Sequence, residues 1–494
     1  MKMYCILCFA QSKALSKQIF NLCFIVFLLQ IIFQGNLWGK PSAPNQTLPD
    51  SIQTALQKQL QNTEFLQKLN FPKTVGRFYA LNAQKSAWLA SEQNVDKTNA
   101  AMLLLDCVRQ FGLQHVAYHP EVLTYPRMYE AIEANKNTSS MPKVEFEIML
   151  TDAMISMINH LHFGAYNPDV NDNLIDNGLS DNLKAEYFLQ NVILSNDLFG
   201  TILSVQPQSD QYKKLQGYMK LIAGQYTCDS YETPEGEARK IAMNMERLRW
   251  VNLEQSSYLH INVPSFKLVY KKTDSVYMFK VVVGKIITQT PTLQSKVYLI
   301  ETAPDWNIPS NIFIKELLPK AIKQPKYFET NQMAVYDSKE NIIPINKITL
   351  AAIKANPKAY HLRQSAGCEN ALGKVIFRFA NNYGIYLHDT PEQQYFKREA
   401  RALSHGCIRI EHADKLAELL LQSDDQQKNI SLLNTAMKTY AKSKFKLNEP
   451  IPIIITYLTY TVEDGLLVNH KDIYNLDDAL ERKMYTTVLQ VTKN

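Results

Sequence analysis

The sequence predicts an α+β multidomain fold: an N-terminal all-α domain, then a mainly β, sandwich-like domain interrupted by an inserted subdomain. Three observations carry this reading. Over residues 61–250 apolar side chains recur at spacings of three and four, the period of helices packed on one face. Beyond residue 250, β-branched and aromatic runs alternate with turn residues. Between 311 and 360 a lysine-rich, more helical stretch interrupts the β pattern, and it is too long for an ordinary connection.

Taken in order, residues 1–39 form a leader. Its apolar run Ile19–Phe33 is broken only by Asn21 and Gln30. As a helix this run covers roughly 22 Å at ~1.5 Å per residue, short of the ~30 Å hydrocarbon core. That length fits a secretory signal peptide. Gly35 and Gly39, however, stand among Asn36, Leu37 and Trp38 rather than in an Ala-x-Ala pattern. A cleaved signal and an uncleaved N-terminal membrane anchor both stay open, and either exports the body of the chain. Residues 40–60, with Pro41, Pro44 and Pro49 ahead of a glutamine-rich stretch, read as a linker. Within 61–250 the clearest helix runs through Phe146, Met149, Leu150, Ala153, Met154, Met157, Ile158 and Leu161, and Gly164 and Pro168 follow it. The β domain, 251–463, opens with the strands Tyr258–Val263, Phe266–Tyr270 and Val276–Val283 and continues through Lys296–Thr302. After the insert, strand signals return at Val375–Phe379, Gly384–Leu387 and Ile451–Val462, with a helix over Ala413–Leu421. Residues 464–494 read as a tail.

Composition limits the functional classes. With 46% hydrophobic and 20% charged side chains, the 494 residues can bury several cores and are neither disordered nor a multi-span membrane protein. The formal charge is +6, but half of it comes from Lys2, Lys13 and Lys17 in the acid-free leader, so no nucleic-acid partner is expected. Seven cysteines fall to four beyond the leader: Cys107, Cys228, Cys368 and Cys407. These are too sparse for a disulfide framework. Cys107 lies in an apolar helical run and reads as core, whereas Cys228 and Cys368 have no assigned role. A free thiol in an exported protein needs a chemical reason.

One stretch supplies that reason. Tyr386-Leu387-His388-Asp389-Thr390-Pro391 is followed, after a charged loop, by Ser404-His405-Gly406-Cys407-Ile408-Arg409-Ile410. A thiol at neutral pH needs a base, and the imidazole of His388 is the candidate. Gly406 allows close backbone approach, and successive amides around His405 and Gly406 are placed to form an oxyanion hole. The ring of His388 has two possible holders: the Asp389 carboxylate, or a backbone carbonyl, since neighbours on a strand point to opposite faces. A zinc site from His388, His405, Cys407 and His412 is a second reading, without paired ligand spacing.

His388, fifteen intervening residues and then Ser-His-Gly-Cys resemble the signature of the YkuD-type L,D-transpeptidase catalytic domain. The resemblance extends through Arg247-Leu248-Arg249-Trp250, Val263-Pro264-Ser265-Phe266, Val283-Gly284-Lys285 with Thr290-Pro291, Trp306-Asn307-Ile308-Pro309, and Arg363-Gln364 to Asn370-Ala371-Leu372-Gly373. These resemble the larger, Gram-negative branch of that family, and Leu150-Thr151-Asp152-Ala153 resembles its helical scaffold. The resemblance implies a scaffold domain at 61–250, a catalytic domain at 251–463 and a lid at 311–360. It implies a periplasmic enzyme that forms 3→3 cross-links between peptidoglycan stem peptides, with a tetrapeptide donor and a diaminopimelate acceptor. Cys407 is then the nucleophile, His388 the general base and acid, and His405 and Gly406 the shapers of the oxyanion hole. Arg409, Trp306, Asn370 and Tyr383 contact substrate, carbapenems are covalent inhibitors, and no cofactor or metal is required. Arg409 stands where some relatives have Asn, and a structural ion pair is its alternative role. No peptidoglycan-binding module fits between Leu221 and Asn244. The same Cys-His pair also serves an L,D-carboxypeptidase or a lipoprotein attachment or detachment enzyme, and a silent wall-binding scaffold is the non-enzymatic alternative.

Overall fold

The computed structural model describes residues 51–89, 92–133, 140–180, 183–223 and 236–491. The expected leader, the proline-containing half of the linker and Cys228 lie outside the described residues. The other half of the linker, Ser51–Gln59, is a helix that buries Leu56.

Helices pack around the central Ser140–Phe163 helix, in which Val144, Ile148, Leu150, Ala153, Met154, Ile155, Met157, Ile158 and Leu161 are buried. Being apolar nearly all round, it is enclosed rather than amphipathic. Its buried acids serve the surrounding loops: Asp152 accepts from the amides of Asn70 and Phe71 at 2.9 and 2.8 Å and from His119 Nε2 at 2.7 Å. Glu147 accepts from Ser86 and from the amides of Ala87 and Trp88. Gly164 ends the helix at φ +87°, where a Cβ would meet Glu246 and Trp250, so a larger residue cannot stand there. Cys107 follows the helix Glu92–Asp106 and is half-buried rather than enclosed in the core.

After the helix Gly236–Arg249 come β1 (Tyr258–Asn262), β2 (Lys267–Lys271), β3 (Val276–Gly284) and β4 (Leu293–Thr302). The insert follows, with its own sheet of β5 (Trp306–Ile308), β6 (Met333–Asp337), β7 (Ile342–Ile343) and β8 (Tyr360–Gln364) in the order β5-β8-β6-β7. Its core is Phe313, Leu317, Ala321, Phe328, Val335, Ile353 and Leu362. The lid is therefore mixed α/β and starts and ends on strands just outside the lysine-rich segment. The chain then supplies β9 (Val375–Phe379), β10 (Leu387–His388), β11 (Ala402–Ser404), β12 (Ile408–Ile410) and β13 (Ser443–Thr456), and last the hairpin β14 (Tyr460–Glu463) and β15 (Leu466–Asn469).

Nine strands form one sheet in the order β11-β3-β12-β10-β9-β4-β13-β1-β2, and β2 also pairs with β3, so the sheet closes on itself. The helices Ala413–Ser423 and Gln427–Thr439 pack on it, and Leu387, Ile408, Ile410, Leu416 and Leu420 are fully buried between them. Two expected strands are cut short by asparagines. Asn381 accepts from the amides of Tyr383 and Ile385 and donates to the Phe379 and Ile385 carbonyls, so residues 381–385 turn and β10 starts only at Leu387. Asn262 and Asn244 take the amides of Leu458 and Thr459, which separates β13 from β14. The expected tail instead contains β15 and the helix Asp477–Val491, held to the scaffold by the Arg247–Asp477 ion pair at 2.5 Å. Among the described residues no helix is long and apolar enough to cross a membrane.

Candidate active site

The site is assembled by the parallel pairing of β10 with β12, in which Leu387 lies opposite Ile408 and His388 opposite Arg409. Extending the register by one residue sets Tyr386 opposite Cys407, and the Ile408 amide donates to the Tyr386 carbonyl at 3.1 Å. Leu387 and Ile408 point into the core. Alternation then puts Tyr386, His388, Cys407 and Arg409 on the other face together. Tyr386 lies against the thiol, and its polar groups favour the charged sulfur. The Tyr386 and His388 rings lie 5.8 Å apart.

His388 is buried, and its Nδ1–H donates to the Asp389 carbonyl at 2.5 Å, with the Leu372 carbonyl as a further acceptor. Burial, reinforced by the positive charge of Arg409, lowers its pKa to about 3, so the imidazole is neutral with Nε2 unprotonated. The Asp389 carboxylate turns away and accepts from the Lys374 amide at 2.9 Å. A carbonyl, not the acid, holds the ring. For Cys407, burial raises the thiol pKa, while the Tyr386 donors and Arg409 pull the other way.

The loop before the thiol is held closely. Gly406 adopts φ +116°, a region strained for any other residue. The Gly406 amide donates to Ser404 Oγ at 3.1 Å, and Ser404 Oγ donates to the Cys407 carbonyl at 2.5 Å. Thr290 Oγ1 accepts from the Gly284 amide at 2.9 Å and donates to the Gly406 carbonyl at 2.8 Å. Tyr474 from the C-terminal segment completes this brace by donating to the Gly284 carbonyl at 2.7 Å. His405 leaves the motif and meets Glu316 of the lid at 2.6 Å.

The expected substrate contacts separate into different roles. Arg409 lies beside both reacting groups, yet it is also 3.7 Å from Glu392 and over the Tyr395 ring. Its Nε is buried without a partner. Asn370 does not line a groove. It is fully buried and donates to the Pro304 and Ser365 carbonyls while accepting from Leu372, the residue whose carbonyl serves His388. Trp306 is half-buried and packs on the lid core, and Tyr383 is 64% exposed on the turn before β10. His412 lies with Cys368, Lys374, Asp389, Asp414 and Lys438 around a separate cavity of about 600 Å³, so the four residues of the zinc reading do not converge. Cys368 is exposed at that cavity. Sequence reasoning passed over Tyr386, although its position two residues before His388 already set it on the same face. Thr290 stood in a motif of the resemblance without an assigned role, and Glu316 and Tyr474 had no local signal, because their partners lie 89 and 190 residues away.

A closed β-sheet carrying a thiol and an imidazole on one face, behind a helical domain, defines a two-domain chain with a cysteine site. The L,D-transpeptidase catalytic domain matches residues 256–437, and a scaffold domain matches residues 73–219. The chain thus carries a region similar to a scaffold domain ahead of a region similar to the L,D-transpeptidase catalytic domain. It is 35% identical over 244 residues to a protein of Haemophilus influenzae provisionally named an L,D-transpeptidase, a match covering 48% of each chain. The chain thus spans about half the length of that relative.

Proposed function

We propose that the protein is an exported, periplasmic L,D-transpeptidase that forms 3→3 cross-links in peptidoglycan through a thioester on Cys407. The observation that carries this reading is the shared face of Tyr386, His388, Cys407 and Arg409 on the paired strands β10 and β12. In the first half-reaction His388 Nε2 takes the thiol proton as sulfur attacks the carbonyl joining the third residue of a tetrapeptide stem to its terminal D-alanine. The C–N bond breaks, the imidazolium returns the proton to the departing amine, and free D-alanine leaves. In the second, the side-chain amine of an acceptor diaminopimelate attacks the thioester, gives its proton to His388, and expels the thiolate with the new amide formed. The His405 and Cys407 amides stabilise the tetrahedral oxyanion, the Gly406 amide being engaged by Ser404 Oγ, and Tyr386 steadies the sulfur charge. Arg409 meets a stem carboxylate.

Neutral His388 beside a thiol raised by burial describes a resting neutral pair rather than a preformed thiolate–imidazolium pair. Nucleophile activation therefore occurs as substrate binds. Carbapenems, which mimic the acyl donor, are expected to acylate the same sulfur. Muropeptide analysis of cells expressing the wild type and Cys407→Ala tests the reading: 3→3 dimers that vanish in the variant support it. Tripeptides without dimers would favour hydrolysis, and no change of either kind would contradict both.

A further inference from the structure

The lid touches the motif at one unusual place. Ser310–Ile312, Phe313–Leu317 and Leu318–Lys323 form one continuous helical stretch whose middle five residues are wound as a π-helix, the Leu318 amide donating to the Phe313 carbonyl. Pro319 supplies a cause: it has no N–H for the Lys315 carbonyl, and its ring crowds that carbonyl. The extra residue in this turn lets Leu317 and Leu318 both enter the lid core while Glu316 faces out to His405. π turns inside helices are enriched at functional sites. His405 follows Ser404 and precedes Gly406, in a loop otherwise tied to Tyr386, Thr288 and Thr290.

From this geometry we infer that Glu316 is a positioning residue for the acyl-transfer step: the lid's π turn presents its carboxylate to His405 and so fixes the 404–407 loop. This rests on the thioester reading above. It gives the lid a direct part in the chemistry, because any displacement of the lid releases His405. A plain surface ion pair of the same length would contribute little to either stability or rate. The two roles are separable.

The test is a double-mutant cycle on the full chain with two readouts. One is the rate of Cys407 acylation by a carbapenem, followed by intact mass. The other is alkylation by iodoacetamide, which needs the thiolate but no oxyanion hole. Glu316→Ala and His405→Ala are each expected to slow acylation by about tenfold, with alkylation held within about twofold, because a misaligned amide weakens oxyanion stabilisation. If Glu316 acts through His405, the double variant is no slower than the worse single variant. Glu316→Gln, which still accepts from the imidazole, restores most of the rate. Additive losses, equal slowing of both reactions, or single variants within about twofold of wild type would overturn the inference. A wild type that alkylates but is never acylated would contradict the thioester reading itself, a result distinct from any of these.

Discussion

At the scale of single residues, the thiol's surroundings decide its reactivity. Tyr386 favours the Cys407 thiolate, and its own pKa is pushed up by burial and by the neighbouring thiol. Tyr386→Phe removes a donor that favours the thiolate, so the Cys407 pKa rises and the alkylation profile moves to higher pH. Hydrogen bonds to charged groups contribute about 1.5–3 kcal/mol, so thiolate-dependent alkylation at pH 7 should fall by roughly tenfold or more. Iodoacetamide kinetics across pH 6–10 check this, and an unshifted profile would remove Tyr386 from the site. That Cys407 and His388 come together was legible because their spacing is local in sequence. Asn370 was misread because a buried amide that closes a loop has the same one-letter signature as one that faces a ligand.

At the scale of elements, the β10–β12 register does the assembling and Gly406 permits it. Gly406→Ala places an L side chain at φ +116°, where strain is of order 1–3 kcal/mol, although its Cβ would meet nothing closer than 3.6 Å. The fold should survive with a modestly lower melting temperature while carbapenem acylation falls by at least about tenfold, because the loop relaxes away from its amide geometry. Unchanged acylation would exclude the proposed role of this loop. Strand periodicity located β1 to β4 and β9 from sequence within a few residues, since one face of each is apolar. It carried strands through 384–386 and 457–459, where asparagine side chains replace ladder partners, a substitution that composition does not reveal.

At the scale of the whole chain, the scaffold and catalytic domains share a buried cluster that includes Tyr212, Met245, Leu248, Tyr258, Leu458, Tyr460 and Leu480. The Arg247–Asp477 pair is almost enclosed within it. Removing one partner of a buried pair costs about 3–5 kcal/mol, so Arg247→Ala should lower the melting temperature of both domains in one transition. Two separate transitions would show that the domains unfold independently. Acid dependence follows from three histidines, His160 and His388 enclosed and His260 half-buried: burial lowers His160 and His260 to about 4 and, with Arg409, His388 to about 3. Each is neutral when folded and protonates near pH 6.5 when unfolded. Their penalty is absent above that pH and grows as pH falls toward the folded values, by about 1.4 kcal/mol per unit for each group. His260→Gln should therefore flatten the fall of melting temperature between pH 6 and 4. The helical scaffold was legible from its period, but the packing of the C-terminal helix against it was not, because that contact joins residues more than two hundred positions apart.

The central claim is that Cys407 carries the acyl group of a stem peptide. Incubating the purified protein with a disaccharide-tetrapeptide and mapping the trapped intermediate by mass spectrometry tests it most directly. A thioester on the Cys407 peptide, equal in mass to the donor less D-alanine and followed by a 3→3 dimer when acceptor is present, is the predicted result. Dimer formation by Cys407→Ala, or acyl transfer mapped to another residue, would contradict it.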